Sequence, residues 1–171
     1  NIRHRSHLLK LLGQMKEESD IEKAFNELLV QDKLEEIFHK INSLCDGDFI
    51  IKDSRGFYKS ERLSATLDIK SMSSGLKTFI ILKTLLQKNE LRENSLLILD
   101  EPEIHLHPQW QVALAEILVL MQKFFNLKVL ITTHSPYFIN AIETYSKVFN
   151  TEGICRFYLA EKRRTGSVLI D

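Results

Sequence analysis

Asp100 and Glu101 stand at the end of one short apolar run, Leu96-Leu97-Ile98-Leu99, and His134 stands just beyond a second, Val129-Leu130-Ile131. These residue types suit phosphate chemistry. An aspartate at a strand end can hold magnesium directly or through water, because that hard cation prefers carboxylate and water oxygens beside a substrate's phosphates. The adjacent glutamate can polarise an attacking water, and a histidine on the neighbouring strand can donate a hydrogen bond to the phosphate being transferred. Met72-Ser73-Ser74-Gly75-Leu76 adds a different device. Small residues opening a helical pattern (Phe79, Ile80, Leu82, Leu85, Leu86) leave backbone N–H groups and the positive helix end free for an anion.

The two apolar runs are too short for ordinary helices and are closed by polar residues or proline, which predicts buried strands of a parallel sheet. Pro108 to Phe125 has the length and period of a crossover helix, with Trp110, Leu114, Ile117, Leu118 and Met121 as its core face. Strand, helix and strand then deliver Asp100, Glu101 and His134 to the carboxyl edge of the sheet, where ligands of open parallel sheets bind. Ser19-Asp20-Ile21-Glu22 has the form of a capping box. It predicts one or two amphipathic helices over Ile21 to Leu44, with a break near Gln31-Asp32, and the alternative is the root of a coiled coil. Phe49 to Tyr58 reads as a hairpin turning at Asp53 to Gly56, and Leu63 to Ile69 as a further strand. Pro136 to Tyr145 is expected to be a short helix. Ser146 to Asn150, Ile154 to Ala160 and Ser167 to Ile170 are expected to be late strands, with Glu161 to Gly166 as a loop. Asn1 to Gln14 is a basic and then leucine-rich stretch suited to a helix contacting upstream sequence.

Bulk properties bound the answer. The 171 residues are enough for one domain with a real core, and 44% hydrophobic with 27% charged residues is ordinary for a globular protein. A formal net charge of zero gives no overall field for nucleic acid or membrane, and no apolar run approaches the roughly 20 residues of a span. Cys45 and Cys155 make no disulfide framework, which favours a reducing cytoplasm. A chain starting at Asn1 is expected to be the downstream part of something longer. Lys162, Arg163 and Arg164 could touch nucleic acid, but a solvated hairpin tip accounts for them better.

Four motifs in order carry a resemblance to the downstream half of an ABC-type ATPase. Met72 to Leu76 resembles the signature motif, Leu96 to Glu101 resembles Walker B, Glu103-Ile104-His105-Leu106-His107-Pro108 resembles the D-loop region, and His134 resembles the switch histidine. The wording is similar to the stand-alone RecF-like, OLD-like and PtuA ATPases. The resemblance covers about Leu67 to Ile142 and implies a mostly parallel α/β sheet flanked by helices, over residues 46–171. Residues 1–45 form a helical appendage in this division. It also implies that ATP and magnesium are the ligands, with Asp100 serving the metal, Glu101 as base and His134 sensing the γ-phosphate. Ser73, Ser74 and Gly75 then contact the γ-phosphate held by a second subunit, and Glu103, His105 and His107 belong to a dimer-facing loop. A head-to-tail homodimer follows, with a nuclease, nucleic acid or other effector as partner.

No Gly-x-x-x-x-Gly-Lys-[Ser/Thr] occurs, so the phosphate-cradling Walker A is expected upstream and the chain alone is expected to be inactive. Ser74 replaces the signature's more usual glycine. Two other classes stay open. One is a catalytically silent module that keeps the ATPase fold; the other is the ATPase part of an OLD-type nuclease, whose Toprim domain would have to lie beyond Asp171. His105 and His107 form a His-x-His pair without a third ligand, which suits a structural or dimer-contact role better than a metal.

Overall fold

Leu34, Ile37, Phe38, Ile41 and Leu44 lie on one side of a single helix, α1 (Glu18–Leu44), where Ile37 and Ile41 are fully buried. The computed structural model describes residues 18–163 and 166–170 except residue 89, with side chains over 31–160. The expected helix over Asn1 to Gln14 lies outside these residues. No break occurs at Gln31-Asp32, since residues 18–44 contain neither Gly nor Pro to stop propagation. The helix already includes Ser19, so that serine is interior and not the expected cap.

β1 (Asp48–Lys52) and β2 (Arg55–Lys59) pair antiparallel, Lys52 opposite Arg55. The turn is only Asp53-Ser54, with φ of 48° and 60°, the two positive values that a right-twisted two-residue hairpin requires. Arg55 and Gly56, expected in the turn, belong to β2. The expected strand over Leu63 to Ile69 shrinks to β3 (Leu67–Asp68), because the Asp68 side chain accepts from Lys70 N and starts a 3₁₀ turn, Ile69–Ser71.

The central unit follows as expected. After α2 (Ser74–Gln87), β4 (Leu96–Asp100) runs through α3 (Pro108–Phe125) into β5 (Lys128–Thr132). The strands are parallel, with Leu96 opposite Lys128 and Asp100 opposite Thr132. Asn126 ends α3 in the left-handed conformation at φ 49°. The architecture is mixed α/β with a parallel sheet and flanking helices; the parallel part is two strands among the described residues, accompanied by antiparallel hairpins.

α4 (Pro136–Val148) is capped by Ser135 and continues through Ser146, where a strand was expected. Helical spacing wins there: Tyr145 stacks on Phe149 at 5.9 Å and Glu143 pairs with Lys147 at 2.6 Å. A 3₁₀ turn (Glu152–Ile154) precedes a late hairpin, β6 (Leu159–Arg163) and β7 (Gly166–Ile170). The strand expected from Ile154 therefore starts five residues later, and Lys162 and Arg163 lie in β6 rather than at a loop tip.

α3 is the hub. Leu114, Ala115, Ile117, Leu118, Leu120 and Met121 are all buried, with α1 and α4 packed against it. Lys40 of α1 reaches Glu116 of α3 at 2.6 Å, and Phe79 of α2 meets Trp110 edge to face at 5.9 Å. Leu97, Leu99, Val129 and Ile131 carry the inner face of the sheet into this core. The outer face departs from the two-sided burial expected of these runs: Leu96, Ile98 and Leu130 are 63%, 61% and 56% exposed.

A polar cluster fastens the hairpin. Lys83 of α2 is buried, with Nζ 2.8 Å from Asp48 Oδ1 and 2.9 Å from the Gly47 carbonyl. The Tyr58 hydroxyl accepts from Gly47 N at 2.7 Å and donates to Asp46 Oδ1 at 3.1 Å, while Ser60 Oγ donates to the same carboxylate at 2.8 Å. Burial pushes the Cys45 thiol and the Tyr58 phenol up from their ordinary values.

Candidate functional site

β4 and β5 end side by side, so their register places Asp100 next to Thr132. The Thr132 hydroxyl donates to Asp100 Oδ1, which aims the carboxylate along the sheet edge. The chain then turns sharply. Glu101 takes a left-handed φ of 45°, a conformation that costs about 1–3 kcal/mol for a residue with a side chain. Its N–H donates to the Thr132 carbonyl at 3.0 Å, which holds the turn against β5. The reward is position: Glu101 Oε1 lies 3.0 Å from His134 Nε2. Glu101 is half-buried, whereas the His134 side chain is 91% exposed. The structure thus gathers Asp100, Glu101 and His134 at one edge.

Residues 101–107 fold as successive tight turns, with Ile104 N donating to Glu101 O at 3.1 Å and Leu106 N to Glu103 O at 3.0 Å. Pro102, Glu103 and Leu106 point inward, while Ile104, His105 and His107 are exposed. Glu103, expected to belong to a dimer-facing loop, is 4% exposed. Its Oε1 accepts from the Thr133 hydroxyl, and its buried Oε2 meets no hydrogen-bond partner among the described residues. His107 Nδ1 accepts from Gln109 N at 3.4 Å and caps α3, and Pro108 at the first helical turn needs no N–H partner.

At the start of α2, Ser73 Oγ accepts from Leu76 N at 3.4 Å, and Ser73 and Ser74 are exposed. Gly75 is buried for a local reason. A methyl group there would lie 2.3 Å from Leu106 Cδ2 and 2.9 Å from Leu106 Cγ, so only glycine lets the helix start seat on the 101–107 segment. Gly75 therefore meets the acidic strand end through Leu106.

No group of three His, Cys, Asp or Glu side chains that could cage a metal occurs among the described residues. This donor set fits magnesium in the way phosphate-bound magnesium is held, through one or two carboxylates with the substrate's phosphates and waters completing the shell. An open groove of about 300 Å³ between α3 and α4, lined by Val112, Tyr137 and Tyr145, contains none of these residues. Sequence reasoning missed Thr132, Thr133, Ser135 and Gln111. The signal available was the polar run Thr132-Thr133-His134-Ser135 directly after an apolar strand.

Residues 4–140 match the model of the family described as "AAA domain, putative AbiEii toxin, Type IV TA system". The chain belongs to that AAA family. A relative from Escherichia coli, "Retron Ec83 probable ATPase", is 30% identical over 95 residues, which are 49% of this chain and 17% of that protein. The chain thus spans less than a fifth of that relative's length. Among solved structures, an SMC ATPase studied for ATP-driven dimerization and DNA-stimulated activation superposes with a TM-score of 0.52 at 14% identity, over 82% of this chain and 81% of that one. An SMC head bound to the C-winged helix domain of ScpA gives 0.52 at 15% identity, over 82% and 41%. At those identities the likeness shows the fold, that of a P-loop, ABC-type ATPase head. This AAA chain is an ATPase-like domain. None of its described helices is long and apolar enough to cross a membrane.

Proposed function

We propose that this chain supplies the metal-binding, water-activating and phosphate-sensing edge of an ABC-type ATPase that works in the cytoplasm as a head-to-tail homodimer. The observation that carries the reading is the pairing of Glu101 with His134 at 3.0 Å, beside an aspartate aimed by Thr132. Magnesium, when bound with ATP, neutralises charge on the β- and γ-phosphates. Asp100 holds a water or the ion at the strand end. Glu101 accepts the proton of the attacking water, and the exposed His134 imidazole donates to the γ-phosphate oxygen on which charge accumulates. Ser73, Ser74 and the N–H groups opening α2 face the γ-phosphate of a second copy, with the exposed His105 and His107 along the same interface.

The open outer face of the sheet supports a division of labour. Parallel sheets are normally covered on both faces, and Leu96, Ile98 and Leu130 offer an apolar surface on which a lobe carrying the phosphate-cradling loop can pack. The family's toxin–antitoxin description and the retron relative support a role in bacterial defence, with the dimer's opening and closing passed to a nuclease, nucleic acid or other effector. The reading is tested with Glu101→Gln in the protein completed by its phosphate-binding lobe. ATP binding should persist while turnover falls about a hundredfold to ten-thousandfold, the usual cost of losing a general base. The ATP-closed dimer should accumulate. Turnover unaffected by this change would remove Glu101 from the chemistry and the reading with it.

A further inference from the structure

The geometry points to Glu103 and Thr133 as positioning residues, a buried carboxylate–hydroxyl clamp that fixes the backbone carrying His134 against the Glu101 turn. The inference rests on the ATPase reading of this edge and adds two residues to it.

Glu103 is the one acidic residue buried among the described residues, and a core that needed only volume would be better served by an apolar side chain. Its position has a directional consequence. Ser135 N donates to Thr133 Oγ1 at 3.0 Å, so that oxygen is already an acceptor and its own proton is free for Glu103 Oε1. One hydroxyl therefore ties together residue 133, residue 135 and the segment after β4. A parallel arm repeats the connection. Ser135 Oγ accepts from Phe138 N at 3.3 Å and donates to Gln111 Oε1 at 2.6 Å, and Gln111 Nε2 donates to the Leu106 carbonyl at 3.1 Å. Both residues flanking His134 are thus fastened to residues 103–106.

His134 itself is anchored weakly by its surroundings, since its side chain is 91% exposed and its recorded polar contact is Glu101. Its direction is inherited from the backbone on either side. That backbone is held by Thr133 and Ser135, and Glu103 supplies the buried end of the first arm. The remaining Glu103 oxygen has no described partner, so the clamp is anchored at a single point and is sensitive to loss of one hydroxyl. Such a site is a place where small displacement reaches the chemistry, because misplacing a group by about 1 Å can cost about a hundredfold in rate.

The test uses the complete ATPase with MgATP and compares Thr133→Val, which keeps shape but not the hydroxyl, with Thr133→Ser, which keeps the hydroxyl. Thr133→Val should lower kcat about tenfold to a hundredfold with KM within about twofold, and Thr133→Ser should stay within about threefold of the parent. In histidine-labelled protein, the His134 imidazole resonance, assigned through His134→Gln, should shift or broaden in Thr133→Val and hold in Thr133→Ser. Glu103→Gln retains an acceptor oxygen and should resemble Thr133→Ser, whereas Glu103→Ala combined with Thr133→Val should be no worse than the more damaging single change. Equal losses in the valine and serine variants would overturn the clamp, as would an unmoved His134 resonance in Thr133→Val. If Glu101→Gln and His134→Gln leave turnover intact, the ATPase reading fails separately, and the His134 resonance still decides whether the clamp exists.

Discussion

Two polar clusters in this chain use similar residues to opposite ends. At the hairpin junction, the Tyr58 hydroxyl, the Ser60 hydroxyl and the Lys83 ammonium each meet partners at ordinary distances, and Asp46 and Asp48 sit within reach of them. At the sheet edge, Glu101 and His105 hold left-handed backbone, Glu103 keeps a buried oxygen without a described partner, and His134 stands in solvent. A satisfied buried network rigidifies a fold, whereas strain and incomplete pairing persist where something other than stability is selected. The first cluster locks β1 to α2. The second leaves Glu101 half-exposed and His134 open to solvent, as the proposed nucleotide site requires.

This contrast predicts that damage at the two places will separate function from stability. Ser73→Arg puts a long cation into the start of α2, where Ser73 and Ser74 are exposed. ATP-driven dimerisation and turnover should be abolished while the melting temperature falls only by about 2–4 °C, the effect at this size of the roughly 1 kcal/mol that losing the Ser73 cap on Leu76 N costs. Gly75→Ala, two residues along, should do the reverse in part: its methyl collides with Leu106, and overpacking costs about 1–3 kcal/mol. Sedimentation with and without MgATP, alongside thermal melts, tells the two apart. A Gly75→Ala protein that melts like the parent would mean that the 101–107 segment moves aside, which would make that segment softer than the core beneath it.

Tyr58→Phe sharpens the other side. It deletes a hydroxyl that both accepts from Gly47 and donates to Asp46, and leaving such groups unpaired costs about 1–3 kcal/mol. The melting point should fall by several degrees while ATP turnover of the completed protein, measured below that point, is unchanged. A loss of turnover with no loss of stability would tie the hairpin to catalysis and erase the distinction.

The sequence made the proposed catalytic edge legible for a definite reason. Short apolar runs ending in Asp100-Glu101 and Thr133-His134 carry both the strand assignment and the proposed chemistry in the same few residues, and the parallel register then forces the ends together. Where local signals compete, reading failed. Val148 and Phe149 suit a strand by composition, yet the Glu143–Lys147 and Tyr145–Phe149 pairs at helical spacing carry α4 through them. Leu63 to Ile69 alternates like a strand, but the Asp68 side chain captures the Lys70 N–H and curls the backbone away. The inward turn of Glu103 was not legible, because a carboxylate in a loop of exposed histidines is normally solvated; only the position of Thr133 beside that loop explains it. The appendage and lobe division at residues 45 and 46 has no comparable local marker.

The smallest effect concerns acid. A Ser60 hydrogen bond holds the Asp46 carboxyl below its usual value against some burial, with Tyr58 and Arg62 adding to it. Burial alone would raise Asp48, but hydrogen bonds from Lys83 and Gln87 outweigh it, so this carboxyl is lowered too. Both groups therefore bind protons less readily folded than unfolded. Their contribution is fully present above the unfolded value, near 4, and is lost as pH falls through the lower folded values. Stability should then be flat with respect to these groups from about pH 7 to pH 5 and decline below about pH 4. The decline should be modest, because the Asp48 side chain is 56% exposed and water screens its attraction to Lys83. Replacing both by asparagine should flatten the acid limb of a melting-temperature profile and lower its neutral plateau by about as much as acid lowers the parent, because the amides lack the charge at every pH. If the limb keeps its slope in the double variant, acid sensitivity arises elsewhere, and the hairpin junction is held by its neutral hydrogen bonds to Tyr58 and Ser60 more than by its charges.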